Sequence, residues 1–525
     1  MRLTTISGFF SCAAAALTLA AAAQGSLEVG VTEDAGKTAD GGAPFFAAMT
    51  DVGLKANRVS IDWDPANPTT IHGQTEIAAW LPQAQLANTR VIFAVAPLTV
   101  KGQPTMSPGA VTQFVAFMRQ LAQTFPSVKD YVVGNEPNQP RFWLPQYSKV
   151  GKALSAATYL KVLSQSYDAL KAIDPTINVI GIGLSPRGND QPFASSNPSR
   201  SPVRFLHDLG IAYRASHRTK PLMDELAFHP YPSRDGDSPD VGYVWPNAGI
   251  PNLDRIKQAI WDAFHGTAQP TFYEPGVKTF TKPLMFELDE VGWQVTIPAD
   301  LSPLYFGNET SRSTIDEQTQ AKYYTDAIEM LACDGTVRAL NFFHLMDEPN
   351  LDRWQSGLER VDLTPRPSYE AVKNTLKTTE GKCEGTPVKW SHTLHVVSPR
   401  TSFGLRNRAT TWKKWTFPTG AGEQATFLAG IFPATVGKKA IARRLTSGRP
   451  APLLASKGTI AAKNRVVTFA ARRLKPGRYV YAIRMVATMN TQRSSFFVSK
   501  PFRVGAATKP HKPKRASKPH KPKRA

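Results

Sequence analysis

Two acidic side chains in this 525-residue chain each close a short apolar run, far apart in sequence. The first is Glu136, in Gly134-Asn135-Glu136-Pro137-Asn138, directly after Tyr131-Val132-Val133. Pro137 has no N–H to offer a ladder, so the strand stops and leaves the acid at its C-terminal end. Asn135 beside it carries both a donor and an acceptor, a combination suited to a sugar hydroxyl. The second is Glu290, in Phe286-Glu287-Leu288-Asp289-Glu290-Val291-Gly292-Trp293. Strand alternation sets Phe286, Leu288 and Glu290 on one face and Glu287 and Asp289 on the other, so Glu290 continues the apolar face to its open end. One carboxyl to protonate a leaving oxygen and one carboxylate to attack an anomeric carbon are what glycosidic cleavage needs. Their environments must differ, because the acid keeps its proton while the nucleophile is ionised. Taken singly, an acid after a strand is more often a loop solvator or a helix cap. The pair, on separate strands, carries the reading.

The elements that must position this pair are legible as eight mostly apolar runs, at 27–31, 58–61, 91–96, 131–133, 179–182, 226–228, 284–288 and 339–343. Helical spacing of apolar residues falls between several of them, at 110–124, 157–173 and 318–331. Strands alternating with helices over this length predict an α/β fold, a (β/α)8 TIM barrel with insertions spanning residues 26–382. A doubly wound open sheet is the rival, and it would want a Gly-rich phosphate turn after an early strand, which is absent. In a barrel, acids at the C-terminal ends of strands lie at the open face where catalysis occurs. The turn-rich stretches 185–201 and 232–251 then read as rim loops after the fifth and sixth strands, or as plain insertions.

Asn135-Glu136-Pro137 after the fourth strand and Glu290-x-Gly292-Trp293 after the seventh resemble glycoside hydrolase clan A, which holds the family 5 and family 39 enzymes. Arg58, in Asn57-Arg58-Val59-Ser60-Ile61-Asp62-Trp63, resembles the second-strand arginine that supports the nucleophile. His229-Pro230-Tyr231 is similar to the clan's sixth-strand His-x-Tyr, whose tyrosine contacts the nucleophile. Trp354-Gln355-Ser356-Gly357-Leu358 with Pro365-Arg366-Pro367-Ser368-Tyr369 resembles the closing segment of bacterial "cellulase family glycosylhydrolase" proteins. The resemblance implies a retaining mechanism with Glu290 as nucleophile and Glu136 as acid/base, a carbohydrate substrate, and neither metal nor organic cofactor. It covers roughly residues 26–376 and departs from the pattern at one place. Where many members end the eighth strand in a sugar-platform tryptophan, this chain has Asn341-Phe342-Phe343-His344. Trp143, just beyond Asn138-Gln139-Pro140-Arg141-Phe142, is a sugar-stacking candidate, and Trp293 joins the substrate-binding set; either, like Trp63, would otherwise pack in the core.

The remainder of the chain speaks to where such a protein works. Arg2, a run of small apolar residues from Ala13 and Ala21-Ala22-Ala23 before Gln24 predict a signal peptide over 1–23 and a secreted, extracellular protein. That run is short of the roughly 20 residues a membrane span needs, and no later segment is long and apolar enough. Cys333 and Cys383 remain after cleavage, either as one disulfide or as two buried thiols, and neither sits in a zinc-type cluster. Charge is uneven: from Val388 onward 30 Lys and Arg face the single acid Glu423, a net +29, which leaves −7 for residues 1–387. Alternation in Arg465-Val466-Val467-Thr468-Phe469 and Tyr479-Val480-Tyr481-Ala482-Ile483, with the turn signal Pro476-Gly477, predicts a small β-sandwich over 388–504. Leu474, Tyr479 and Tyr481 are its candidate core, and it resembles immunoglobulin-like modules of secreted bacterial enzymes. Residues 509–516 and 518–525 repeat K-P-H-K-P-K-R-A, a composition that forms no core and predicts a disordered tail over 505–525. The basic end suits an anionic cell-wall or extracellular polymer, or merely solubility, and no nucleic-acid motif accompanies it. A carbohydrate-binding or adhesion protein with weak turnover is the alternative function.

Overall fold

The computed structural model describes residues 25–98, 106–275, 282–310 and 313–392, then shorter segments between 404 and 504. The expected signal peptide, Leu474 and the repeated tail lie outside the described residues, as does part of the alternating run at 465–469. Eight parallel strands close into a barrel in sequence order: β1 (Glu28–Thr32), β2 (Ala56–Trp63), β3 (Arg90–Pro97), β4 (Asp130–Val133), β5 (Asn178–Leu184), β6 (Glu225–Phe228), β7 (Met285–Val291) and β8 (Val337–Phe343), with β1 pairing β8. Helices α1 (Ala43–Val52), α2 (Gln74–Leu86), α3 (Pro108–Thr124), α4 (Ser155–Ile173), α5 (Pro202–Ala215), α6 (Leu253–Phe264), α7 (Glu317–Ala332) and α8 (Pro367–Thr379) alternate with them. The fold is the TIM barrel, and all eight expected strands are in place.

Local chemistry explains the helix starts. Ser107 caps α3 by accepting from Ala110 N, and Pro108 takes the first turn, where a missing N–H costs nothing. Asp316 Oδ1 accepts from Thr319 N at the start of α7. Along α3 the buried residues Val111, Phe114, Met118 and Leu121 recur at three- and four-residue spacing, the stripe that faces the sheet.

Side chains alternate around the barrel wall, and the interior fills in layers. At the N-terminal end Arg90 reaches Glu28 at 2.6 Å, Asp130 at 3.1 Å and Glu287 at 2.9 Å, while Arg338 reaches Glu225 at 2.6 Å. Above this network Ala56, Ile92, Ala94, Val132, Ile180 and Ala227 make an apolar plug. The alternation reading of β7 needs correction here. Glu287 and Asp289 point into the barrel, where they meet Arg90, Asn341 and Arg58, and Phe286 and Leu288 join the core outside it. Glu290 therefore does not reach the open end by continuing the apolar face. The β7–β8 register shifts between Leu288 and Val291, and that irregularity re-aims the strand end.

Cys333 and Cys383 form a disulfide. The chain beyond it stays against the barrel: Val388 N donates to Cys333 O at 2.7 Å, and the His392 ring stacks on Trp261 at 3.7 Å. Farther on, the strands β9 (Gly404–Arg406), β10 (Ala409–Thr411), β11 (Gln424–Pro433), β12 (Leu454–Ala461), β13 (Thr468–Phe469), β14 (Gly477–Ala487), β15 (Ser494–Val498) and β16 (Phe502–Val504) form antiparallel sheets. Tyr479 and Tyr481 are buried, but in the cluster that holds Trp390 and the barrel core and not, as expected, with the module's own core of Phe432, Val480 and Ala482. Helix α9 (Lys438–Thr446) was not expected; its Ile441 and Leu445, four apart, pack against Phe432, Val480 and Ala482. Among the described residues no helix is long and apolar enough to cross a membrane.

Candidate active site

The end of β4 turns abruptly. Gly134 takes φ +86°, a conformation open to glycine, and a Cβ there would meet the Tyr159 ring at 3.0 Å. The Tyr159 hydroxyl plugs the gap between β4 and β5, donating to Val133 O at 2.6 Å and accepting from Ile182 N at 2.8 Å. Glu136 itself sits at φ +37°, held by its N–H on Gly183 O at 2.8 Å. A non-glycine residue in that region is a local cost tolerated where the surroundings fix the backbone. Asn138, fully buried, locks the turn to the next loop by donating to Ser185 O and Arg200 O and accepting from Ser185 N.

Arg58 gathers the other half of the site. Its guanidinium lies 3.0 Å from Glu290 Oε1 and 3.2 Å from Asp289 Oδ2, and Nη2 donates to Asn135 Oδ1 at 3.0 Å. Tyr231 donates its hydroxyl proton to Glu290 Oε2 at 3.1 Å. Both oxygens of Glu290 thus face fixed donors. His229 is fully buried, with Nδ1 3.0 Å from Glu136 Oε1 and Nε2 3.3 Å from Asp289 Oδ1. Burial alone would discharge this ring, but the charges of Glu290 and Asp289 and hydrogen bonds to Asp289 and Glu136 outweigh it, raising its pKa from 6.5 to about 10. His229 is therefore an imidazolium at neutral pH. Burial also opposes ionisation of Asp289, yet His229 and Arg58 hold its pKa below the usual carboxylate value. Burial and the Glu290 charge push the Tyr231 phenol well up, so it stays a donor.

The two predicted carboxylates converge. His229 Nδ1 lies 3.0 Å from Glu136 Oε1 and 3.6 Å from Glu290 Oε2, which bounds the gap between those oxygens at 6.6 Å. Both acids line a cleft of about 1290 Å³ at the C-terminal end of the barrel, with Arg58, Asn135 and Tyr231. The loops 185–201 and 232–251 supply part of its wall, including Arg187, Asn189 and Asp235. Among the described residues no group of three or more His, Cys, Asp or Glu is placed to hold a metal ion.

Three tryptophan assignments resolve against the cleft. Trp143 is buried, donates its indole N–H to Thr158 Oγ1 at 2.9 Å and packs edge-on against Tyr159. It supports the Glu136 turn from behind and does not stack on sugar. Trp293 is likewise buried, bonded to Asp237 O at 2.7 Å and wedged between Tyr323 and Tyr324, because the strand pleat sends Gly292 and Gln294 to the cleft instead. Trp63 packs against Phe114 in the core. The aromatic floor comes from Trp354, which sits 5.1 Å from Tyr231 and 5.6 Å from Phe343 between ring centroids. Its signal was its place in the long segment after β8, which returns over the same rim. Asp34, Asp62, His344 and Glu348 also line the cleft; none was singled out, although Asp62 and His344 directly follow the second and eighth apolar runs.

No family model and no curated protein matches this chain. Solved structures similar to it include a family 39 glycoside hydrolase from the gut symbiont Bacteroides cellulosilyticus WH2, with 15% identity over 79% of this chain and 74% of that chain at a TM-score of 0.47. The family 39 enzyme from Xanthomonas axonopodis pv. citri is 13% identical over 85% of this chain and 91% of that chain, at 0.44. A family 39 β-xylosidase from Caulobacter crescentus is 15% identical over 85% and 95%, at 0.43.

Proposed function

We propose that this chain is a secreted glycoside hydrolase that cleaves O-glycosidic bonds of an oligo- or polysaccharide with retention. One observation carries the reading: a single buried histidine, His229, touches Glu136 and lies 3.6 Å from Glu290, so the two acids face one sugar-sized gap. The 6.6 Å upper bound on their nearest measured oxygens favours the short separation of retaining pairs, about 5 Å, over the ~6.5–9.5 Å that leaves room for water. In the first step the Glu290 carboxylate attacks the anomeric carbon while the Glu136 carboxyl passes its proton to the departing oxygen. In the second, Glu136 takes a proton from water, whose oxygen displaces Glu290 from the glycosyl ester. Arg58 and Tyr231 fix the orientation of Glu290.

The test is turnover of a panel of p-nitrophenyl β-glycosides by wild type, Glu290→Ala and Glu136→Gln. Glu290→Ala should be inactive and recover with azide, giving a glycosyl azide. Glu136→Gln should lose roughly 10²- to 10⁴-fold on poor leaving groups and far less on activated ones. Equal losses on both kinds of substrate would remove Glu136 from the acid role. The basic C-terminal end we read as a tether to an anionic wall or extracellular polymer; Lys438, Lys439 and Arg443 of α9 are exposed and of one sign.

A further inference from the structure

A turn on the loop after β6 presents apolar side chains to solvent beside the cleft. Asn247 N donates to Val244 O at 3.1 Å, and Val244 and Trp245 at the tip are 85% and 59% exposed. The turn is clamped from several sides. Arg255 donates to Tyr243 O at 3.1 Å and to Asn247 O, and Tyr243 N donates to Asn252 Oδ1 at 2.7 Å. Asn247 Oδ1 accepts from Gly188 N at 3.0 Å, and Ala248 N donates to Pro186 O at 2.9 Å, which ties the turn to the loop after β5. Arg204 lies against the Trp245 ring, its guanidinium 5.7 Å from the centroid and its Nε 3.2 Å from Asp190. Asn247 and Gly188 both line the cleft, so this indole stands two residues from the cleft wall.

We propose that Trp245 is a distal stacking subsite for a neutral, β-linked polysaccharide that occupies the cleft and leaves it across the rim built by the loops after β5 and β6. The inference deepens the hydrolase reading and rests on it. At about 1290 Å³ the cleft exceeds the roughly 300–1,000 Å³ of a small-molecule pocket, room for several sugar units and not one. A pyranose with equatorial linkages offers a flat C–H face that an exposed indole covers, and a clamped turn loses little backbone freedom on stacking. The chain bound there is uncharged. The cleft wall carries seven carboxylates (Asp34, Asp62, Glu136, Asp235, Glu290, Glu348 and Asp352) against the guanidinium groups of Arg58, Arg141, Arg187 and Arg353 and the His344 ring, an excess of acid that disfavours a polyanion.

The experiment is affinity electrophoresis of the full chain carrying Glu290→Gln, run toward the cathode because the pI is about 9.8, in gels containing xylan, glucomannan, hydroxyethylcellulose or mixed-linkage β-glucan. At least one polymer should retard it. Adding Trp245→Ala should weaken that retardation about tenfold, the factor a contact of ~1.4 kcal/mol supplies, and Trp245→Phe should restore part of it. In the active background Trp245→Ala should cost more kcat/KM on the polymer than on the p-nitrophenyl glycoside of the same sugar. Because the side chain is exposed, its thermal unfolding should match the parent. Retardation by none of the four polymers, or equal retardation of Trp245→Ala and parent, overturns the subsite. Retardation that depends on Trp245 without turnover of any aryl glycoside would instead sink the hydrolase reading and leave a binding protein.

Discussion

The barrel carries a buried arginine near each end, and the two are built to different purposes. At the N-terminal end Arg90 is saturated by Glu28, Asp130 and Glu287, and Asn178 and Asn341 satisfy the same acids from adjoining strands. None of these residues lines the cleft. At the C-terminal end Arg58 holds Asp289 and Glu290, with His229 bridging onward to Glu136, but both glutamates open onto the cleft. The same ingredients, arginine and carboxylates inside a β-barrel, close on one another in one layer and open onto a cleft in the other. Irregular backbone occurs in both layers, since β7 shifts register against β8 beside Glu287 as well as beyond Leu288, but only the upper layer adds the positive φ of Glu136 past the end of β4 and opens its acids onto the cleft.

Substitutions at the two ends should separate these purposes. Glu290→Gln should lower kcat by ~10⁴-fold or more while leaving the unfolding transition in place, since the change is isosteric and the side chain borders the cleft. Arg90→Met should do the reverse, destabilising the fold by about 3–5 kcal/mol through uncompensated buried acids, with kcat of the remaining folded enzyme unaltered. A matching loss of kcat would mean that the two ends are coupled. Trp143→Ala tests the wall behind the acid: a cavity cost of about 3–5 kcal/mol in denaturant unfolding is expected, with KM for a p-nitrophenyl glycoside little changed. A large KM increase without destabilisation would return Trp143 to the sugar.

The last prediction is in pH. His229 is faced by Glu136, Asp289 and Glu290, with Arg58 on the same carboxylates, and its folded pKa is about 10 against 6.5. The stabilisation from its charge is whole below pH 6.5 and disappears as pH climbs through about 10. Unfolding of wild type relative to His229→Asn should therefore show a gap that is level in mild acid and narrows toward pH 10. A gap that widens with pH would mean that the ring is neutral.

Strand and helix positions were readable because apolar periodicity is a local property, and eight β/α repeats leave few closed arrangements. Glu136 and Glu290 were readable because strand-ending acids next to Asn-Pro and before Gly-Trp are local signals that a barrel maps onto one face. Arg58, His229 and Tyr231 followed from resemblance, and the geometry brings all three to the acids. The tryptophans were not readable. Trp143, Trp293 and Trp354 differ little in their neighbourhoods, and whether an indole lies behind the wall or on it depends on which elements pack against it. The register shift in β7 was invisible for the same reason, and simple alternation brought Glu290 to the rim on the wrong face.

By itself, then, the amino-acid order determined the periodicities, the eightfold alternation, the identity of the paired acids and the stark charge divide at Val388. Tertiary structure alone decided that Cys333 bonds Cys383, that His229 spans two carboxylates, and that Trp354 and not Trp143 borders the cleft. The division has one physical cause. Periodicity and strand ends follow from a residue and its immediate neighbours, whereas burial, pairing and charge state follow from atoms that only a closed barrel brings within a few ångströms.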